Sequence, residues 1–257
     1  MSSKRIDFVK VEIYNKDILT ERGMIVMQNL LKRKKDLFDY ILMLAVAVLI
    51  VVFAVLRQQS FIKTLPTLVT LVIQLLTVRA NRYAFLIGSI NALVYGISYY
   101  SEGLYFSLVS AVLISSPIQL YSFISWSKKA GGKNTPPLRF LGTKKLLFTV
   151  CGSLAAWAIC VFGLSGLFES ASYPAIDSYL FVMGIVVSFL AAWRYVDAQY
   201  LSIISCVLSL CLWILLTLRN PSNFNYVIIS AYNLFRVLQA AINWTKKYRN
   251  EKIAEES

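Results

Sequence analysis

Eight stretches of this chain run for about 17–24 residues with almost no charge in them, each near the ~20 residues that a helix needs to cross the hydrocarbon of a bilayer. They are predicted at 37–56, 62–78, 83–100, 104–126, 145–167, 177–193, 198–218 and 224–244. No water is available at that depth, so each segment must bond its own backbone, which selects helices. Overall, 58% of the residues are hydrophobic and 15% are charged, against roughly 45–50% and about 25% in a soluble domain. This excludes a soluble globular enzyme, a disordered chain and a disulfide scaffold. The four cysteines (Cys151, Cys160, Cys206, Cys211) lie inside apolar runs without CxxC spacing and read as small buried hydrophobes. The chain has no histidine, so histidine acid–base chemistry, histidine–zinc sites and histidine pH switches are excluded. No cofactor and no metal are expected.

The net charge of +13 would point to nucleic acid in a soluble protein. Placement argues otherwise. With the amino terminus in the cytoplasm, twenty-two Lys and Arg fall on the cytoplasmic side. These include Lys32–Lys35, Arg79, Arg82, Lys128, Lys129, Arg139, Lys144, Arg194, Lys246 and Lys247. Only Arg57, Lys63 and Arg219 fall outside, with Glu102, Glu169 and Asp177. This asymmetry orients the protein in the cell membrane with both termini cytoplasmic, and the bilayer, not nucleic acid, accounts for the basic residues. The first 35 residues lack an apolar h-region with a cleavage site, so no removable signal peptide is expected. Ile6, Phe8, Val9, Val11, Ile13 and Tyr14 alternate imperfectly with charges, a pattern suited to the membrane surface.

Two membrane-edge signatures recur. Ile124-Ser125-Trp126-Ser127-Lys128-Lys129 returns 118 positions later as Ile242-Asn243-Trp244-Thr245-Lys246-Lys247, and Thr77-Val78-Arg79 returns 115 positions later as Ala192-Trp193-Arg194. Three crossings leave a chain on the opposite side, so a second three-helix copy in the same orientation needs one extra crossing between them. Span 145–167 supplies it. The expected fold is an all-α polytopic membrane protein of eight helices arranged 1 + 3 + 1 + 3, its two parallel repeats related by an axis along the membrane normal. The segments are a cytoplasmic N-terminal piece (1–36), an extra helix (37–61), the first repeat (62–126), a basic loop with the linker helix (127–176), the second repeat (177–247) and a cytoplasmic tail (248–257).

Candidate binding residues are uncharged polar and aromatic side chains inside the repeat spans: Gln74, Asn91 and Tyr95 (one helix face, i and i+4), Gln119 beside the helix-bending Pro117, Ser205, Ser209 and Trp213, and Tyr232, Asn233 and Gln239. Singly, such residues also serve as glue between helices. Trp126, Trp193 and Trp244 suit an interfacial belt, and Trp193 also suits an inner exit. Arg236, inside the last span, reads either as a cation satisfied by carbonyls, Tyr and Asn, or as part of the inner path. No Asp or Glu falls at the middle of a span and no phosphate-binding loop is present, which favours uniport over ion- or ATP-driven transport.

The series Arg79-Ala80-Asn81, Gly88, Tyr95, Tyr99, Gly103-Leu104-Tyr105, Gln119 and Trp126 resembles the nicotinamide riboside transporter (PnuC) family over residues 62–247. The resemblance implies a 3 + 1 + 3 vitamin transporter, with an added N-terminal helix in some members. It also implies facilitated diffusion with trapping of the product by a cytoplasmic kinase. The family's Trp-rich stretch matches Gln199–Cys206, where Gln199 and Tyr200 stand in the binding region but Ile203 takes the place of a second Trp. Nicotinamide riboside is the first expectation, with thiamine, riboflavin or another nucleoside as competitors. A membrane enzyme would need a His, a paired acid or a metal constellation in or beside the bilayer. A receptor or scaffold would need neither a repeat nor midplane amides.

Overall fold

The computed structural model describes residues 34, 36–129, 137–164, 166 and 171–256; the readings made for the N-terminal segment and for Glu169 fall outside them. The chain divides between Ala45 and Val46 into two units, and all packing given below lies within the second. Among the described residues the chain forms eight long helices: α1 (Asp36–Leu56), α2 (Phe61–Val78), α3 (Tyr83–Ser101), α4 (Tyr105–Lys129), α5 (Thr143–Gly163), α6 (Pro174–Ala192), α7 (Asp197–Arg219) and α8 (Phe224–Glu256). Six of them, all but α3 and α8, are long and apolar enough to cross a membrane. α3 has the length, but Gly88, Ser89, Asn91 and its tyrosines lower its hydropathy.

α8 runs on to Glu256, well past the end expected at 244. Its added turns leave the apolar register and are built of strong helix formers, with a Lys247–Glu251 pair at i,i+4 (3.7 Å). α6 starts at Pro174, whose fixed φ suits a first helical turn.

The α2–α3 and α6–α7 turns close alike. After α2, Ala80 adopts φ 50° while Asn81 N–H reaches the Leu76 carbonyl (2.9 Å). After α6, Arg194 adopts φ 70° while Tyr195 N–H reaches Leu190 (2.9 Å). Both are Schellman closures on a non-glycine left-handed residue, which costs on the order of 1 kcal/mol each. We designate this end of the bundle the basic end.

α4 packs against α3 and α6, and α8 packs against α7 and α2. α5 lies against α6 and turns Leu147, Phe148 and Phe162 outward, as α1 does Val55 and Leu56. Apolar side chains on outward faces suit a protein solvated by lipid. For the same reason Cys151 and Cys211 stand exposed rather than buried.

Candidate functional site

Between α2, α3, α4, α6 and α7 lies a cavity of about 380 Å³. Thr70 and Ile73 of α2 face it. α3 gives Gly88, Asn91, Ala92, Tyr95 and Tyr99, and α4 gives Ser107, Ser110, Ala111, Ser115 and Gln119. Leu180, Met183, Gly184 and Val187 of α6 and Ser202, Ser205, Cys206, Ser209, Leu212 and Trp213 of α7 close the other side. No Lys, Arg, Asp or Glu is among these lining residues. The volume and the mix of apolar surface with a few convergent hydroxyls and amides fit a small uncharged organic solute.

The α2–α3 wall is held from within. Asn91 Nδ2 donates to the Pro66 carbonyl (3.1 Å) and to Thr70 Oγ1 (3.0 Å). Tyr95 OH lies 3.3 Å from the same Thr70 hydroxyl. On the opposite wall, Ser205 Oγ is buried with no hydrogen-bond partner, an unspent group at the cavity edge. Gln119 lies so close to Gly88 that a Cβ there would sit 2.0 Å from its Oε1. A side chain at 88 would therefore have to displace the Gln119 amide.

α4 owes its lining to a defect. A π-helical turn occupies Ser110–Ser115, one turn ahead of Pro117, whose missing N–H and ring disfavour a regular ladder there. The wider turn brings Ser110 Oγ and Ser115 Oγ to 3.4 Å across five positions. Ser116 Oγ and its carbonyl meet Ser89 Oγ at 3.1 and 2.9 Å. A regular 3.6-residue period would have put Ser110 and Ser115 on different faces.

An aromatic roof covers the end of the cavity away from the basic end. Trp213 stacks on Tyr226 (4.1 Å), Tyr99 lies 6.5 Å from Trp213, and Tyr95 and Tyr99 stack at 5.7 Å. Tyr226 OH donates to Ser98 Oγ (2.7 Å). Lys63 pairs with Glu102 (2.9 Å), and Asn223 donates to the same carboxylate (2.7 Å). These bonds tie α2 and α3 to the α7–α8 connection. Asp177, fully buried on α6, accepts the backbone N–H groups of Phe106 (3.0 Å) and Ser107 (3.1 Å) and the Ser107 hydroxyl. It thus caps the amino end of α4 from a neighbouring helix. Asn225 of α8 bonds Gln59, just before α2, in the matching way; both residues sit 118 positions from the Ser107–Asp177 pair.

The basic end is closed by apolar packing. Val78, Ala80, Trp126, Val196, Ala240 and Trp244 form one buried cluster with Leu138. Leu138 belongs to a strap, Pro137–Gly142, that leads into α5. Arg139 N–H bonds the Arg194 carbonyl (3.0 Å) and Val196 N–H bonds the Arg139 carbonyl (2.8 Å). Leu138 N–H reaches Glu251 (3.1 Å) and Leu141 N–H reaches Asp197 (2.7 Å). Burial, with Arg139 beside it, pushes the Arg194 guanidinium down from its usual range.

Of the residues singled out in the sequence, Asn91, Tyr95, Gln119, Ser205, Ser209 and Trp213 meet at the cavity. Gln74, next to Ile73, is half-buried and does not line it. Gln199 is buried at the start of α7, and Tyr200 beside it is exposed with its hydroxyl 2.9 Å from Thr245 Oγ1. Trp193 is 53% exposed against Phe189. Tyr232, Asn233 and Gln239 lie on α8, which contributes no lining residue. Tyr232 sits beneath the Arg236 guanidinium (4.9 Å), and Gln239 accepts from Arg236 Nη1 (2.7 Å). The sequence reading did not single out Thr70, Ser107, Ser110, Ser115 and Ser202. Serine and threonine within apolar spans were the available signal, but such residues usually bond their own helix, as Ser202 does to Ala198 (2.7 Å).

Comparison with known proteins bears on this architecture. Residues 60–246 match the sequence profile of the family described as nicotinamide mononucleotide transporter. The nicotinamide riboside transporter PnuC of Neisseria mucosa is 24% identical over 168 residues, 63% of this chain and 63% of that protein's length. The crystal structure of the vitamin B3 transporter PnuC superposes with a TM-score of 0.72 at 20% identity, over 83% of this chain and 92% of that one. Because the profile spans most of the chain, this multi-pass membrane protein belongs to the nicotinamide mononucleotide transporter family, that of the PnuC transporters.

Proposed function

We propose that the chain is an uptake transporter for nicotinamide riboside, carrying it by facilitated diffusion. The observation that carries this reading is the charge-free, amide- and hydroxyl-lined cavity beneath an aromatic roof. A flat heteroaromatic ring suits the tyrosine and tryptophan faces, and ribose hydroxyls suit groups that both donate and accept. A mononucleotide would bring a phosphate, and a buried phosphate without cations is costly. With no Lys or Arg in the lining, the riboside fits better.

In this reading all eight helices span the membrane as 1 + 3 + 1 + 3, with α2–α4 and α6–α8 as parallel repeats and the basic end cytoplasmic. The paired bonds support it. Trp126 Nε1 donates to the Ala191 carbonyl at the end of α6 (3.1 Å), and Trp244 Nε1 to the Thr77 carbonyl at the end of α2 (2.9 Å). Each third helix therefore grips the first helix of the other repeat at both ends. Alternating access then opens either the Glu102–Lys63–Asn223 tie or the Leu138 plug. A cytoplasmic kinase that phosphorylates the product keeps it inside. Uptake of labelled nicotinamide riboside into proteoliposomes is expected to saturate and to survive collapse of sodium and proton gradients. Strict ion dependence would refute uniport, and a thermal-shift response to thiamine or riboflavin alone would refute the substrate.

A further inference from the structure

The polar atoms of the cavity wall are not equally available to a ligand. A carbonyl oxygen only accepts, so Asn91 must turn its nitrogen, not its oxygen, toward the Pro66 carbonyl (3.1 Å). That settles the orientation of an amide whose two ends look alike. The other N–H goes to Thr70 Oγ1 (3.0 Å). Thr70 turns its single proton toward the same Pro66 carbonyl (2.7 Å), with the Tyr95 oxygen as a second, longer acceptor (3.3 Å), so toward Asn91 it can only accept. Both amide protons of Asn91 are thus committed inside the protein. What Asn91 leaves for the cavity is acceptor capacity, at Oδ1.

Resting on the riboside reading above, we infer that the α2–α3 wall makes Asn91 a specificity-determining residue that selects a carboxamide-bearing riboside over the same riboside bearing a carboxylate. A primary carboxamide brings N–H donors to Oδ1. A carboxylate brings only acceptors and a charge, and it meets the lone pairs of Asn91 Oδ1 and no cation elsewhere in the lining. A site built around one hydrogen-bonding polarity rejects the opposite polarity strongly, because buried polar groups are left facing one another unpaired.

The test is calorimetric titration of the full-length protein in nanodiscs with nicotinamide riboside and with its carboxylate counterpart. The carboxamide form is expected to bind at least about thirtyfold more tightly. In Asn91→Leu that ratio is expected to collapse to within about threefold, and Thr70→Val, which leaves one Asn91 N–H uncommitted, is expected to give an intermediate ratio. Equal binding of both ribosides to the unmodified protein overturns the inference while leaving the transport reading intact. A wild-type ratio preserved in a folded Asn91→Leu protein overturns the assignment to Asn91. Binding of neither riboside overturns the substrate reading, and the inference falls with it. If Asn91→Leu does not fold, the Thr70→Val ratio decides, and a wild-type value there counts against the inference.

Discussion

α4 and α8 each pack against the helix before them and against one from elsewhere in the chain, α4 against α3 and α6 and α8 against α7 and α2. Each also carries a tryptophan, Trp126 or Trp244, whose indole N–H reaches across to a carbonyl. Their interiors differ. α4 is broken by the π turn at Ser110–Ser115 ahead of Pro117, and this wider segment lines the cavity with Ser107, Ser110, Ser115 and Gln119. α8 runs unbroken for 33 residues, lines no part of the cavity, and buries Arg236 among Tyr232, Phe235 and Gln239. Within this pair the irregular helix lines the cavity and the regular one braces it. A helix that must present side chains along one wall gains from a register shift, whereas a helix that must brace two neighbours does not.

The sharpest way to break this contrast is at the helix facing α4. Gly88→Ala places a Cβ against Gln119 Oε1, so the Gln119 side chain, which lines the cavity, is displaced. Uptake is expected to fall by more than about tenfold, as a 1 Å misplacement at a working site commonly costs that or more. The double variant Gly88→Ala/Gln119→Ala, which removes the obstructing side chain, is expected to recover part of the loss. No recovery would show that α4 does not set the cavity's shape. On α8 the opposite split is expected. Arg236→Met keeps the apolar stem but withdraws the donor from Gln239 and the cation from the Tyr232 face, a loss of about 2 kcal/mol in stability. Thermal unfolding should detect it, while the riboside dissociation constant stays within about twofold, since no α8 residue lines the cavity. A folded Arg236→Met protein with weakened binding would move α8 into the site.

The membrane class was legible because the apolar runs are long and the helix ends are punctuated by Arg79, Arg194 and the Trp–Lys–Lys signatures. Asn91 and Tyr95 were legible as a pair because α3 keeps a regular period, which sets i and i+4 on one face. Ser110 and Ser115 were not, because they are aligned by a π turn ahead of Pro117, a register change that periodicity does not encode. Tyr232, Asn233 and Gln239 carry the same polar chemistry as Asn91 at similar depth, yet α8 turns away from the cavity. Helix rotation follows from packing against α2 and α7, and composition alone does not supply it. The extension of α8 to Glu256 follows helix propensity in water rather than the bilayer, so a hydropathy boundary ended it early.

The smallest effect bears on what α4 and α8 share. Trp126 and Trp244 are both fully buried, lie 5.7 Å apart, and each donates its indole N–H to a carbonyl near the end of another helix, α6 for Trp126 and α2 for Trp244. Phenylalanine keeps most of the aromatic bulk but offers no donor, leaving one buried carbonyl poorer by one bond, worth about 1 kcal/mol. Trp126→Phe and Trp244→Phe are therefore expected to lower the thermal midpoint by similar amounts. Because the two rings touch, the double variant is expected to depart from the sum of the singles. Unequal single losses, one near zero and the other well above about 2 kcal/mol, would show that the two tryptophans do different work, and the correspondence between α4 and α8 would then end at their sequence signatures.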